Sequence, residues 1–198
     1  MAVASAARVR EAGNVVEKID DGRLVGRALA GDPQAFESLV ERYERAVYHL
    51  AYRMLRDAED ARDASQEAFF KAYRSLRTFK IEAKFSTWIL SIAYHACCDR
   101  LSKRKRFSFD ELSETADPMP GPELLATRGD DARRLRDAID ALPEKYRVVI
   151  TLYHLQDCRY EEIAEILEVP LGTVKTHLFR AKALLRRHLA GPYAEVTE

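Results

Sequence analysis

The stretch Tyr160–Leu185, YEEIAEILEVPLGTVKTHLFRAKALL, decides how the C-terminal part of the chain folds. Ile163, Ala164 and Leu167, then Val174, Leu178 and Ala181, form two apolar stripes at helical spacing. Between them stand Pro170 and Gly172, where helix must break, because proline lacks the backbone N–H and crowds the preceding turn. The pattern predicts helices over 160–167 and 172–189 that cross on their apolar faces, a helix-turn-helix. Thr173 is positioned to cap the second helix. The outer face of that helix then carries Lys175, Thr176, His177, Arg180 and Lys182. Such a face suits a recognition helix, whose first residues reach base edges while neighbours hold phosphates. A solvated basic helix would show the same charges; the coincidence of turn, cap and basic face favours DNA.

Repressors, response regulators and sigma factors all carry motifs of this kind, so the rest of the chain has to discriminate between them. Apolar residues at three- and four-residue steps predict helices over about 20–30 and from Pro33 onward, the latter capped by Asp32 and burying Phe36, Leu39, Val40, Tyr43, Val47, Leu50 and Met54. Another helix is expected from Asp57 to about Thr78, and one capped by Ser86 that carries Trp88, Ile89, Ile92, Ala93, Ala96 and Leu101. Helix is expected again over 131–141 and 143–156. No strand signal appears. The fold class is therefore all-α: two small helical domains joined by an extended linker, the C-terminal one a helix-turn-helix.

The formal net charge of zero conceals blocks. From Arg23 to Arg106, 17 Lys+Arg stand against 11 Asp+Glu. From Phe107 to Asp131, one Arg faces seven acids, and from Ala132 to Ala190, 11 basic residues face eight acidic ones. Two basic blocks separated by an acidic one point to a polyanionic partner for each. The acidic segment FSFDELSETADPMPGPELLATRGD, 107–130, holds three of the seven prolines and lacks periodicity, as a linker does. No apolar run reaches the roughly 18 residues of a membrane helix. The N-terminus lacks the pattern of a secretory signal, so a cytoplasmic location and no membrane insertion are expected. Cys97, Cys98 and Cys158 form neither a metal pattern nor a disulfide framework and are read as small core residues. No metal site, cofactor, catalytic triad or phosphate loop is visible, and the chain is not expected to be an enzyme.

Two stretches of the N-terminal half complete the reading: DAEDARDASQEAFFKAYRSLRTF (57–79) and KFSTWILSIAYHACCDRLSKRKR (84–106). On one helical face of the first lie Asp63, Gln66, Glu67 and Phe70, three, four and seven residues apart. A carboxylate-and-amide face with an aromatic edge fits a basic helical surface on another protein. In the second, aromatics precede a tract of cations, a combination that suits unstacked bases running along a phosphate track. Together with DAIDALPEKYRVVITLYHLQ (137–156) before the helix-turn-helix, these stretches resemble domains 2 and 4 of extracytoplasmic-function (ECF) RNA polymerase sigma factors, the sigma-70 group that has only those two domains.

The resemblance implies a promoter-specificity factor for RNA polymerase, divided into a leader (1–19), domain 2 (20–106), an acidic linker (107–130), domain 4 (131–190) and a tail (191–198). It implies that Asp63, Gln66, Glu67 and Phe70 dock on the clamp helices of core RNA polymerase. It assigns minus-ten promoter DNA to Lys80, Lys84, Phe85, Trp88, His95, Arg100, Lys103, Arg104, Lys105 and Arg106. Minus-thirty-five DNA falls to Thr173, Lys175, Thr176, His177, Arg180 and Lys182. His95 and His177 stand where the family usually has Asn and Arg. Members are often held inactive by an anti-sigma factor, a further expected partner that no residue here identifies. The competing reading is a stand-alone helix-turn-helix regulator that binds operators without core polymerase.

Overall fold

A computed structural model describes residues 21–80, 82–107 and 130–190. The first helix, α1, covers 21–29. The turn after it passes through Gly31 at φ 94°, a left-handed conformation natural to glycine. Asp32 then caps α2 (Pro33–Leu55), accepting the Gln34 N–H at 3.1 Å, with Pro33 in the first turn as its missing donor allows. Asp21, buried at the head of α1, accepts from Tyr43 and pairs with Arg42, which ties α1 to α2.

Asp57 caps α3 (Ala58–Ser75) through the Asp60 N–H at 2.8 Å, and a 3-10 turn, Leu76–Thr78, closes it. The buried face of α3 is almost all small: Ala61, Ala64, Ser65, Ala68 and Ala72. Small side chains let α3 seat against both α2 and α4 (Phe85–Phe107). Ser65 is satisfied there by donating to the Ala61 carbonyl at 2.6 Å. The third long helix opens at Phe85, so Ser86 lies inside its first turn and does not cap it.

In the C-terminal half, α5 (Asp130–Asp140) and α6 (Glu144–Ile150) precede the helix-turn-helix pair α7 (Tyr160–Leu167) and α8 (Leu171–Ala190). The expected helix over 143–156 is divided: from Thr151 to Leu155 the chain is π-helical, with Gln156 N–H reaching the Thr151 carbonyl at 3.2 Å. Thr151 also donates its hydroxyl to the Arg147 carbonyl, a back-bond of the kind that loosens helix geometry. The turn between α7 and α8 runs through Glu168 in left-handed conformation (φ 53°) and then Pro170. Gly172 and Thr173 fall in the first turn of α8, so Thr173 is not the cap that sequence suggested; its N–H donates to the Pro170 carbonyl.

Ile163, Ile166, Val174, Leu178 and Ala181 fill the crossing of α7 and α8, with Ala164 and Leu167 half-buried at its edge. The two helical units do not stand apart. Their buried side chains form one continuous apolar cluster, with α7 packed on α4 and α6 on α2. The expected linker lies outside the described residues, apart from its ends, and the leader (1–19) and tail (191–198) lie wholly outside them.

Candidate polymerase-docking and promoter-reading surfaces

On α3 the docking candidates share one outward face. Asp63 and Gln66 are exposed, Glu67 is half-buried, and the Phe70 ring is 60% exposed with the Arg74 guanidinium over it at 5.6 Å. Tyr73, 57% exposed, extends the aromatic edge and packs its ring edge-on against Phe36. Sequence reading missed Tyr73, although its position three residues after Phe70 was a usable signal. Glu67 bonds Lys71 at 2.9 Å; that hydrogen bond holds the Glu67 carboxyl below its ordinary range and the Lys71 ammonium above its own.

The acids of this face are also held from behind. Arg100 of α4 lies 3.3 Å from Asp60, 3.6 Å from Asp63 and 3.8 Å from Glu67, while Arg104 pairs with Asp60 and donates to the Leu55 carbonyl. Arg100 and Arg104 were assigned to minus-ten DNA from the cationic tract. In the structure their guanidinium groups turn to α3, where three acids, Asp60, Asp63 and Glu67, pair with them. Phe85 is a second correction. Only 1% exposed, it packs against Phe79, Tyr43 and Trp88 and offers no surface to a base. Trp88 is half-buried, its ring 5.2 Å from Phe79 and 5.6 Å from Phe85, so the aromatic cluster fixes its orientation and leaves one edge outward. Lys80 and Lys103 are exposed, and the side chains of Lys105 and Arg106 lie outside the description.

Two further minus-ten candidates meet the helix-turn-helix. Lys84 Nζ lies 2.6 Å from Glu162, and His95 Nε2 lies 3.4 Å from Glu168 while its Nδ1 bonds the Ser91 carbonyl at 2.8 Å. A cavity of about 400 Å³ opens beside them, lined by Tyr94 of α4 and by Lys145, Val148, Leu167, Val169 and His177.

On α8, Lys175, Thr176 and Arg180 point outward, with Thr176 donating to the Gly172 carbonyl at 2.9 Å. His177 is half-buried, its ring edge-on to Tyr146 at 5.5 Å. Burial, then the charges of Lys145 and Arg180, push its pKa below the ordinary imidazole value. Lys182 lies over the Tyr153 ring at 4.9 Å. Between these cations stands Phe179, 74% exposed, which sequence reading passed over. Its signal was a large apolar residue four after Lys175, off the apolar stripe. Lys175, Thr176, Phe179 and Arg180 therefore form a contiguous outer face, able to combine phosphate contacts with base-edge and thymine-methyl contacts.

Among the described residues no helix is long and apolar enough to cross a membrane, and no group of three or more His, Cys, Asp and Glu is placed to hold a metal. Cys97 and Cys158 are buried and Cys98 half-buried; burial pushes the Cys97 and Cys158 thiols up to about 12.

Residues 39–107 match the Sigma-70 region 2 family and residues 132–185 match Sigma-70, region 4. In sequence the chain is similar to the ECF RNA polymerase sigma factor SigW of Bacillus subtilis (strain 168), 37% identical over 178 residues, covering 84% of this chain and 95% of that one. The RNA polymerase sigma-H factor of Pseudomonas aeruginosa is 35% identical over 180 residues, covering 85% of this chain and 93% of its own. The fold is similar to the sigma factor RpoE solved in complex with the anti-sigma factor NepR from Bartonella quintana, with TM-score 0.71 at 20% identity over 79% of this chain and 98% of that one. CnrH, solved in complex with the cytosolic domain of CnrY, gives TM-score 0.64 at 22% identity over 87% of this chain and 99% of its own. With both promoter-recognition regions present in order, and relatives matched over nearly their whole length, the chain belongs to the ECF RNA polymerase sigma factors and directs promoter-specific transcription initiation by RNA polymerase.

Proposed function

We propose that the two halves divide the work of initiation, domain 2 over 20–106 and domain 4 over 131–190. The α3 face of Asp63, Gln66, Glu67 and Phe70, extended by Tyr73, docks on the clamp helices of core polymerase. Lys80, Lys84, Trp88, His95 and Lys103, with Lys105 and Arg106, bind the minus-ten element. Capturing a base there requires taking it out of the stack, a cost of a few kcal/mol. Aromatic stacking returns about 1–3 kcal/mol per base. The outer face of α8 reads the minus-thirty-five element. The observation that carries this reading is the contiguous exposed quartet Lys175, Thr176, Phe179 and Arg180 on a helix whose opposite face is buried against α7. Chemistry belongs to the polymerase; the chain itself is not an enzyme and works in the cytoplasm. An anti-sigma factor is a third partner in this reading, after core polymerase and promoter DNA.

Run-off transcription with purified core polymerase on a promoter library tests it. The expected result is core-dependent initiation from a small set of related promoters. Replacing Phe70 with Ala should weaken core binding, and replacing Phe179 with Ala should relax one minus-thirty-five position. Full core binding by the Phe70 variant would refute the docking assignment.

A further inference from the structure

We infer that Asp21, at the head of α1, is a positioning residue for the minus-ten face: through Tyr43 and Phe85 it fixes the ring of Trp88. The inference rests on the proposed role of Trp88 in binding an unstacked base. Asp21 is buried, its side chain 7% exposed. As the first residue of α1 it suits the positive end of that helix, but a carboxylate serves the dipole equally well from the surface. This one is turned inward, where it accepts from the Tyr43 hydroxyl at 2.5 Å and from Arg42 at 2.6 Å. Taking a carboxylate out of water is costly, and apolar residues of the same volume would join α1 to α2 at least as well. What the carboxylate adds to the contact is direction.

Tyr43 carries the same signature. It stands on the core stripe of α2, between Leu39 and Val47, where a phenylalanine would fill the space. Its hydroxyl is the part that needs a partner, and Asp21 supplies one from 22 residues earlier in the chain. The bond fixes how the Tyr43 ring lies, and that ring meets Phe85 at 5.5 Å, tilted by 46°.

Phe85 opens α4, and Phe79 follows the 3-10 turn that closes α3, so their rings stand at the two ends of the connection between those helices. They meet edge-on at 5.6 Å, and Trp88 lies against both, 5.2 Å from Phe79 and 5.6 Å from Phe85. Tyr43, Phe79 and Phe85 are all buried, and in a close-packed interior a shift of one ring is felt by the next. Asp21 begins this series and the outward edge of Trp88 ends it. A base stacking on Trp88 gains most when the ring is already held in place, because ordering left to the moment of binding is subtracted from the gain.

Trp88 is the only tryptophan of the chain, so its fluorescence reports the effect directly. The test uses the full chain with Tyr43→Phe, which keeps the ring and removes the hydroxyl, and with Asp21→Asn, alone and combined. Emission maximum, acrylamide quenching and anisotropy of Trp88 are read in the free protein. Affinity for forked minus-ten promoter DNA is read in the holoenzyme with core polymerase. Tyr43→Phe is expected to make Trp88 more mobile and more readily quenched, and to weaken forked-DNA binding about fivefold, equivalent to about 1 kcal/mol. Core affinity and minus-thirty-five duplex binding should match the parent. Asp21→Asn should show part of the same loss, and add nothing in the Tyr43→Phe background. A lower Tm with the Trp88 signature and forked-DNA affinity unchanged would make the Asp21–Tyr43 bond merely structural and overturn the inference. Additive losses, or an equal loss of core affinity, would overturn it as well. A separate arm examines Trp88→Leu in the holoenzyme on the same DNA. Unimpaired binding there would overturn the DNA role of Trp88, and the positioning with it. Impaired binding there, with Tyr43→Phe at parental affinity, would overturn the positioning alone.

Discussion

Replacing Arg147 with methionine isolates what one buried guanidinium contributes to joining the halves. Arg147 is 6% exposed and donates to three carbonyls: Arg53 at 2.6 Å, Asp140 at 3.1 Å and Leu142 at 2.9 Å. The first belongs to the last turn of α2 and the second to the end of α5, so one side chain caps two helix ends from different halves. Burial holds its pKa below the ordinary arginine value, the nearby Arg56 adding to this, yet a guanidinium remains charged throughout the working pH range. Methionine keeps most of the stem, so little cavity results and the loss is polar. The Asp140 carbonyl retains a donor, Arg56, at 2.9 Å. Two carbonyls are left unmet, each costing about 1–3 kcal/mol. Part of this is offset because the guanidinium no longer has to be desolvated. A net loss of about 3 kcal/mol follows from these two terms. For a chain of this size that corresponds to a fall in Tm of roughly 6–12 °C. Thermal unfolding followed by far-UV circular dichroism measures it. Lysine at 147 should recover less than half, since one ammonium cannot span carbonyls on two helices as the planar fork does. A methionine variant that melts within about 2 °C of the parent would refute the shared-cap reasoning.

Other consequences are equally direct. Phe179→Ala should cost about 1–3 kcal/mol on the cognate minus-thirty-five duplex and relax one base position, whereas Lys175→Ala should weaken all sequences alike and lower the salt slope by about one unit; a titration series over salt and single-base variants separates them. His177→Arg should raise DNA affinity and steepen its salt dependence, because it places a permanent charge where burial, then Lys145 and Arg180, disfavour the charged imidazole; an unchanged slope would put residue 177 away from DNA. His49 and His177 both have pKa values lowered chiefly by burial, and in His49 also by Arg45 and Arg53. The unfolded chain binds protons at both first, near pH 6.5, so their stability contribution is complete above that value and is lost as pH falls from there toward the folded pKa values. The denaturant midpoint should decline over that window, and His49→Leu, which removes a buried Nε2 that has no partner among the described residues, should flatten the decline.

Local signals in the sequence were read correctly where the cause is local. Asp32 caps the helix that follows it, as a short acceptor immediately before Pro33 and an apolar repeat predicts; Asp57, read only as the start of a helix, caps the next one too. The helix-turn-helix was legible from two stripes and a proline. Its neighbour is not: nothing in YRVVITLYHLQ distinguishes α-helix from the π-helical stretch that ends it, and the hydroxyl back-bond of Thr151 has counterparts at Ser65 and Thr176 inside regular α-helix. Thr173 and Ser86 were read as caps on composition, but the chain enters each helix one or two residues earlier and needs neither.

The charged residues show a different boundary. Arg100, Arg104 and Lys84 were each correctly seen as cations on or beside α4, and sequence could say no more, because what a long side chain does depends on partners far along the chain. Asp60 lies 40 residues from Arg100, and Glu162 lies in the other half of the molecule from Lys84. A cationic tract read in isolation therefore overstates the surface available to DNA. Two of its arginines brace the acids of the proposed docking face, and the lysine before it pairs with Glu162 of α7. The α8 face divides in the same way: Lys175, Thr176 and Arg180 stay exposed, while His177 lies edge-on to Tyr146 and Lys182 over Tyr153. Those three project from a helix held on its other sides by α5, α6 and α7, so helical spacing alone determines that they stay exposed, whereas the ring partners of His177 and Lys182 come from α6 and the π-helical stretch after it.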